Sequence, residues 1–446
     1  MSNHPNTGPE EQGHLQRNLS LFEATMFGIS FVIGTGVFLK PSSVLANSGS
    51  TGMALAVWII AGLISLCSAL TISEISAYIP RLGGLYTYLS ELYGEAVGFI
   101  YGWVTVLVSG PGGAAASAIA FATFASYFVE MNETTMRLVS VGLVILFGIV
   151  QIISTKASMK LQVVGTIGKL LPIFAILAIG LFKGSIPGSL NLALVGGNSK
   201  VAIGVALIGA LWAYDGWVAT CTLGAELVNS EKNLPKAIIA ALVFVTAVYA
   251  AFNVIIFRNI DAETVVASQN IGVDVSRVLF GNAGATLVSI GLLISVAVTM
   301  NAQIMNVARN LLPMAQRQLI PAHHALGKIH PKFDTPANAI ILEMILTCLY
   351  IFSGNFESVT NMVIFVVWVF FVLTVFGVFI LRKKYPRQEG LYSTPLYPIV
   401  PLIGIIGGAF LVVSTVMSMF KISMIGIVVA IIGLPIYAYY KKQKNA

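Results

Sequence analysis

Two short segments interrupt runs that are otherwise apolar. Val32-Ile33-Gly34-Thr35-Gly36-Val37-Phe38 sets two glycines around a threonine, and Leu211-Trp212-Ala213-Tyr214-Asp215-Gly216-Trp217 sets an acid and a glycine among three aromatics. Glycine weakens a helix and leaves backbone groups without intrahelical partners, so each segment is expected to break its helix. Amides freed at a half-helix N-terminus favour an anion, and carbonyls freed at a half-helix C-terminus favour a cation. An α-amino acid presents both charges. The amides of Gly34, Thr35 and Gly36, with the Thr35 hydroxyl, are assigned its carboxylate. The carbonyls of Val32, Trp212 and Asp215 are assigned its ammonium, and Ile33, Ala213 and Tyr214 complete the two segments. A plainer reading of Gly-x-Gly is close helix packing on small residues. The second break, at a matching place further along the chain, weighs against it.

Lys169 lies within the apolar stretch Gly165-Thr166-Ile167-Gly168-Lys169-Leu170-Leu171-Pro172. An ammonium deep in lipid costs at least about 2.5 kcal/mol, so it needs a partner. By reaching the first break it would supply the fixed positive charge that a sodium ion supplies elsewhere; snorkelling to an interface is the alternative. Asp215 is open to three roles: binding an ammonium or a proton, pairing with a lysine, or turning its side chain to water. Glu74 and Glu226, close in depth to Arg17 and Arg81, are candidates for a gate of ion pairs or for ordinary interfacial charges. Asn301 lies at a depth from which it could face the first break, and helix packing explains it equally well. Glu343 has no account beyond facing a cavity. Gly110-Pro111-Gly112-Gly113-Ala114-Ala115-Ala116 forms a small-residue surface suited to close helix contact and to limiting a pocket.

Positioning these residues requires a frame that lives in lipid. The chain has 446 residues, 57% hydrophobic and 10% charged, against about a quarter charged in soluble domains. Apolar runs of membrane-spanning length recur at roughly 21 to 46, 52 to 79, 92 to 129, 137 to 154, 161 to 183, 201 to 227, 235 to 257, 276 to 312, 337 to 353, 358 to 381, 397 to 419 and 422 to 440. The expectation is an all-α membrane protein of twelve transmembrane helices. The third and eighth exceed a simple crossing and are expected to tilt or to extend past the headgroups. The breaks open spans one and six, so residues 21–183 and 201–381 form two halves of five spans. Five is odd, and the halves therefore run in opposite directions, an inverted five-plus-five repeat whose paired interrupted helices mark a transport site. Residues 397–440 add two further spans, and residues 1–20 a tail.

With the N-terminus inside, seventeen of the 25 lysines and arginines fall on the inner side and seven on the outer, with Lys169 in the membrane. That bias puts both termini in the cytoplasm. The placement of the +7 net charge at helix edges argues against a nucleic-acid partner. Cys67, Cys221 and Cys348 lie in apolar runs and offer neither a disulfide framework nor a zinc spacing. The five histidines sit only in the tail and one loop, so no histidine relay crosses the membrane and no catalytic cluster forms. No enzyme activity, metal or cofactor is expected.

The segment from Val32 to Pro41, Glu74 with Ile79-Pro80-Arg81-Leu82-Gly83-Gly84-Leu85-Tyr86-Thr87-Tyr88, the Trp212–Trp217 segment, Glu226, Asn233-Leu234-Pro235 and Lys169 together resemble the amino acid, polyamine and organocation superfamily. Within it they resemble the L-amino-acid transporters related to bacterial serine/threonine exchangers, over nearly the whole chain. The resemblance implies alternating access in the plasma membrane and sodium-independent exchange of small neutral L-amino acids, with proton-coupled symport as the alternative. It also implies a carboxylate on the first-helix glycines, an amino group on the sixth-helix backbone, a Trp212 that closes over the substrate and a Lys169 that couples those helices. Two departures stand out. Thr35 replaces the commoner serine, adding a methyl that favours smaller substrates. The loop from Val129 to Arg137 has no cysteine, where animal members bond a glycoprotein heavy chain, so no disulfide-linked partner is expected.

Overall fold

The computed structural model describes residues 19–79, 84–183, 190–194, 202–225, 227–333 and 335–445. Among them it is helical, with one isolated bridge between Leu19 and Leu227. Among the described residues nine helices have the length and apolarity to cross a membrane, and the bent pair Leu21–Val32 and Gly36–Ser48 makes a tenth span. Two shorter apolar helices complete twelve, one of them Gly168–Gly180 within the longer helix Thr155–Gly180 and the other Ala337–Ser353. In chain order, span 1 is the bent pair, span 2 Thr51–Tyr78, span 3 Glu95–Ala125, span 4 Glu133–Ile153 and span 5 Thr155–Gly180. Span 6 is Ile203–Cys221, span 7 Ser230–Asn259, span 8 lies within Ile271–Gln316, span 9 is Ala337–Ser353, span 10 Phe356–Lys384, span 11 Ile399–Ser418 and span 12 Phe420–Asn445.

The two spans expected to be overlong are long in the structure: span 3 runs 31 residues, and span 8 lies in a 46-residue helix interrupted near its start. Before span 3, a separate helix Gly84–Tyr93 ends at Gly94, whose φ of 99° stops it. Span 3 itself carries one π-helical stretch, Thr105–Ser109. In Ile271–Gln316 the backbone leaves helical geometry at Gly281, φ 72°, so the segment before it is a distinct helix bent off span 8. Start signals are local: Ser20 and Glu23 form a capping box at span 1, and Asn132 and Asn355 cap spans 4 and 10 with their side chains.

The packing follows the five-plus-five arrangement. Span 1 lies against span 6, span 2 against span 7, span 3 against span 8 and span 4 against span 9, each helix meeting its own counterpart five spans on. Cross pairs also come in exchanged couples: span 5 with span 8 is matched by span 10 with span 3. Spans 11 and 12 pack outside this core, against spans 2, 3, 6 and 10.

Candidate substrate site

The first break is built by the residues the sequence singled out. The first half of span 1 closes with the Ile33 amide on the Ile29 carbonyl at 2.9 Å, and the second half starts at Gly36, the two axes differing by 49°. Among the described residues the amides of Gly34, Thr35 and Gly36 donate to no backbone carbonyl, and the Thr35 hydroxyl makes no cap bond. Helix N-termini orphan such amides, and here the three residues line a cavity.

In span 6 the first half ends at Tyr214. Asp215 is extended and Gly216 adopts φ 107°, after which a 3₁₀ segment, Trp217–Ala225, continues. A Cβ at Gly216 would lie 2.8 Å from the Phe31 carbonyl oxygen, so glycine is required both for the turn and for the approach of span 1.

The glycines of the first break divide in function. A Cβ on Gly36 would stand 2.5 Å from Ala213 Cα, so Gly36 permits spans 1 and 6 to touch. A Cβ on Gly34 would meet nothing closer than a Thr299 methyl at 3.7 Å. Close packing therefore explains Gly36 and not Gly34.

At the carbonyl ends, two side chains fill places a cation would take. Lys169, 1% exposed, donates through Nζ to the Ser30 carbonyl at the end of the first half of span 1. The Tyr249 hydroxyl, from span 7, lies 3.1 Å from the Val32 carbonyl and 2.9 Å from the Ala213 carbonyl, sharing one proton between the two half-helix ends. The Trp212 carbonyl accepts the Asp215 amide at 3.2 Å. Two of the three carbonyls assigned to an ammonium thus already hold one hydrogen bond each, leaving their second lone pairs.

The cavity, about 190 Å³, is lined by Val32, Gly34, Thr35 and Gly36 from span 1, Trp212, Asp215 and Gly216 from span 6, and Lys169. Ile33, Ala213 and Tyr214 do not line it; they are buried behind, Tyr214 in an aromatic cluster with Trp58 and Tyr249. Thr105, Ser109, Gly110 and Gly113 of span 3 form the facing wall. Gly110 and Gly113 bring span 3 so close to span 8 that Cβ atoms would meet Val307 at 1.9 Å and Gln303 at 3.1 Å. Span 8 contributes a polar stripe at helical spacing, Thr299, Gln303, Asn306 and Asn310, which sequence reasoning passed over although the periodicity was there to read. The cavity runs from the breaks toward the end of the bundle where span 1 begins, past Gly84, Leu85 and Asn310.

The remaining candidates lie elsewhere. Asn301 is fully buried and turns to span 4, where Gln151 Nε2 donates to its carbonyl at 2.7 Å and its side-chain oxygen at 3.1 Å; it does not line the cavity. Glu74 accepts a bidentate pair from Arg382 of span 10 at 2.8 and 2.9 Å, and the Thr394 amide at 2.7 Å, a node joining span 2, span 10 and the loop after it. Glu226, Arg17 and Arg81 lie outside the described residues. Glu343 is buried in span 9 with neither carboxyl oxygen bonded among the described residues, and it does not line the cavity.

A family model described as amino acid permease matches residues 19–438. The serine/threonine exchanger SteT of Bacillus subtilis (strain 168) is 35% identical over 435 residues, covering 97% of this chain and 99% of the exchanger. The cystine/glutamate transporter of Homo sapiens is 30% identical over 437 residues, 96% of this chain and 86% of that protein. The large neutral amino acids transporter small subunit 2 of Mus musculus is 28% identical over 98% of this chain and 85% of its own length.

Proposed function

The chain belongs to the amino acid permease family, and on that premise we propose that it exchanges small neutral L-amino acids, of the alanine, serine, threonine and cysteine kind, across the plasma membrane without sodium. Both termini face the cytoplasm, and the transporter works as a single chain without a disulfide-linked heavy chain. The observation that carries this reading is Lys169. Its ammonium sits on the Ser30 carbonyl at the freed C-terminal end of a half-helix, where a mobile cation would otherwise bind, so a resident charge does the work of a coupling ion.

The substrate carboxylate lies on the amides of Gly34 to Gly36 and the ammonium on the free lone pairs of the Val32 and Asp215 carbonyls. Its side chain points across the cavity to Thr105, Ser109 and Gln303, whose polar atoms suit a hydroxyl. A cavity of about 190 Å³ is small beside the roughly 300–1,000 Å³ of sites for drug-sized ligands, in keeping with a small solute. With the N-terminus inside, the cavity runs cytoplasmward, an inward-facing state of an alternating-access cycle.

Counterflow tests the proposal: proteoliposomes loaded with unlabelled serine should accumulate labelled serine, threonine and alanine in choline as well as in sodium buffer. A strict sodium requirement, or uptake into empty vesicles as fast as into loaded ones, refutes it. The alternative, proton-coupled symport, draws on one observation. Asp215 lines the cavity and, among the described residues, pairs with no cation. Uptake into empty vesicles driven by an imposed pH gradient would favour it.

A further inference from the structure

The cavity's other end is closed by a charged cluster that the transport reading does not use. Lys40, in the outer half of span 1, is fully buried, and its Nζ donates to Glu357 Oε2 at 2.7 Å and to Thr360 Oγ1 at 2.8 Å, both on span 10. The same ammonium stands 5.0 Å from the Phe356 ring centre, and Phe356 meets the Trp212 indole edge-on at 6.3 Å. The Lys40 stem runs past Gly209, where an added Cβ would touch it at 3.7 Å. Three elements thus meet at one cation: the outer halves of spans 1 and 6, and the start of span 10.

The geometry points to Lys40 and Glu357 as an outer clasp, positioning residues that hold Phe356, and through it Trp212, over the cavity and so set how readily the site opens to the outside. The inference rests on the transport reading above for its meaning but not for its test. The pair is unequal: the Lys40 side chain is 0% exposed and that of Glu357 42%. A buried ammonium is costly unless paired, so Lys40 stays where it is only while span 10 supplies its acceptors. Parting span 1 from span 10 admits water to the lysine at the moment it loses the carboxylate. The clasp is thereby stable closed and stable open, and unstable between.

Val363, one helical turn beyond Thr360 along span 10, lines the cavity on the far side of the clasp from the outer mouth. A cysteine there, with Cys67, Cys221 and Cys348 replaced by serine or alanine, is labelled in sealed right-side-out vesicles by a membrane-impermeant thiol reagent only when the outer path opens. Glu357→Gln should raise that labelling rate roughly tenfold, the scale of one charge-assisted hydrogen bond, while lowering the half-saturating external substrate concentration and raising the internal one. Glu357→Asp should keep the rate close to that of the parent. An unchanged rate per folded molecule in Glu357→Gln, or equal rates in Gln and Asp variants, overturns the clasp. Should Glu357→Gln fail to fold, Thr360→Val, which removes the second acceptor, must raise the rate or the inference fails. Labelling needs no transported solute, so a negative result leaves the substrate assignment untouched, and failed counterflow leaves the clasp standing.

Discussion

Replacing each glycine of the first break by alanine separates packing from binding. In Gly36→Ala the new methyl stands 2.5 Å from Ala213 Cα, 2.7 Å from its Cβ and 3.1 Å from its amide nitrogen. These are backbone and near-backbone atoms that no rotamer change can clear, so spans 1 and 6 must part by about 1 Å to restore contact distance. Overpacking of this kind costs about 1–3 kcal/mol. The functional cost is larger, because the same displacement moves the Gly34 to Gly36 amides relative to the span 6 carbonyls, and a 1 Å misplacement of a positioning group can cost about a hundredfold. In Gly34→Ala the nearest atom is a Thr299 methyl at 3.7 Å, ordinary contact, so the expected change in fold stability is under about 0.5 kcal/mol. The methyl enters the cavity beside the proposed carboxylate site, so affinity falls while the protein stays intact. Thermal unfolding of the purified protein in detergent, followed by loss of the monodisperse peak, measures the first effect; counterflow half-saturation measures the second. A Gly36→Ala protein with parental stability would show that Gly36 does not serve the approach of spans 1 and 6, and a Gly34→Ala protein as destabilised as Gly36→Ala would refute the division between the two glycines.

Lys169→Ala should insert and fold yet lose about tenfold or more in exchange rate, because the Ser30 carbonyl loses its charged donor inside the membrane; parental exchange would remove the lysine from the mechanism. Tyr249→Phe strips the hydroxyl shared by the Val32 and Ala213 carbonyls, and counterflow should drop by roughly a factor of ten, with Tyr249→His as a variant that restores a donor. Asn301→Ala should lower stability by about 1–2 kcal/mol through the lost contact with Gln151, with the order of substrate preference unchanged, whereas Gln303→Leu should reorder preference in favour of apolar side chains. A competition panel of unlabelled amino acids reads both, and a reordered panel in Asn301→Ala would contradict the placement of that side chain.

What could be read from the chain and what could not follows from the range of each interaction. The two breaks were legible because glycine and an acid in an apolar run are local signals, and Lys169 because a lone cation in lipid demands a partner wherever that partner is. Tyr249 left no such mark: a tyrosine in a membrane helix is ordinary, and only the fold brings its hydroxyl to two carbonyls more than thirty and two hundred positions away. Lys40 counts among the seven outer-side charges in the sequence, but the fold buries its side chain between the outer half of span 1 and span 10, where Glu357 and Thr360 receive it. Depth alone matches Glu74 to Arg17 and Arg81, whereas its described partner, Arg382, comes from the other half of the repeat. Such pairings depend on which helix faces which, and twelve helices leave depth alone too weak to choose among them.

Under the proposed mechanism, the fixed charge also bears on why the cycle would be an exchange. In an ion-coupled carrier the cation leaves with the substrate, and the empty site resets with neither. Here the Lys169 ammonium is tethered to span 5 and bonds to the Ser30 carbonyl of span 1, and Gly34 to Gly36, whose amides have no backbone acceptor among the described residues, line the same cavity. Once the substrate carboxylate departs, these two positive features share a small space in which Asp215, at the other break, is the one acidic residue of the described lining. Occluding that space excludes the water that would screen them, and electrostatic interactions strengthen as the local dielectric falls. Under the proposed mechanism closing around a bound carboxylate is then easier than closing around an empty site, which favours a return stroke with a second amino acid aboard.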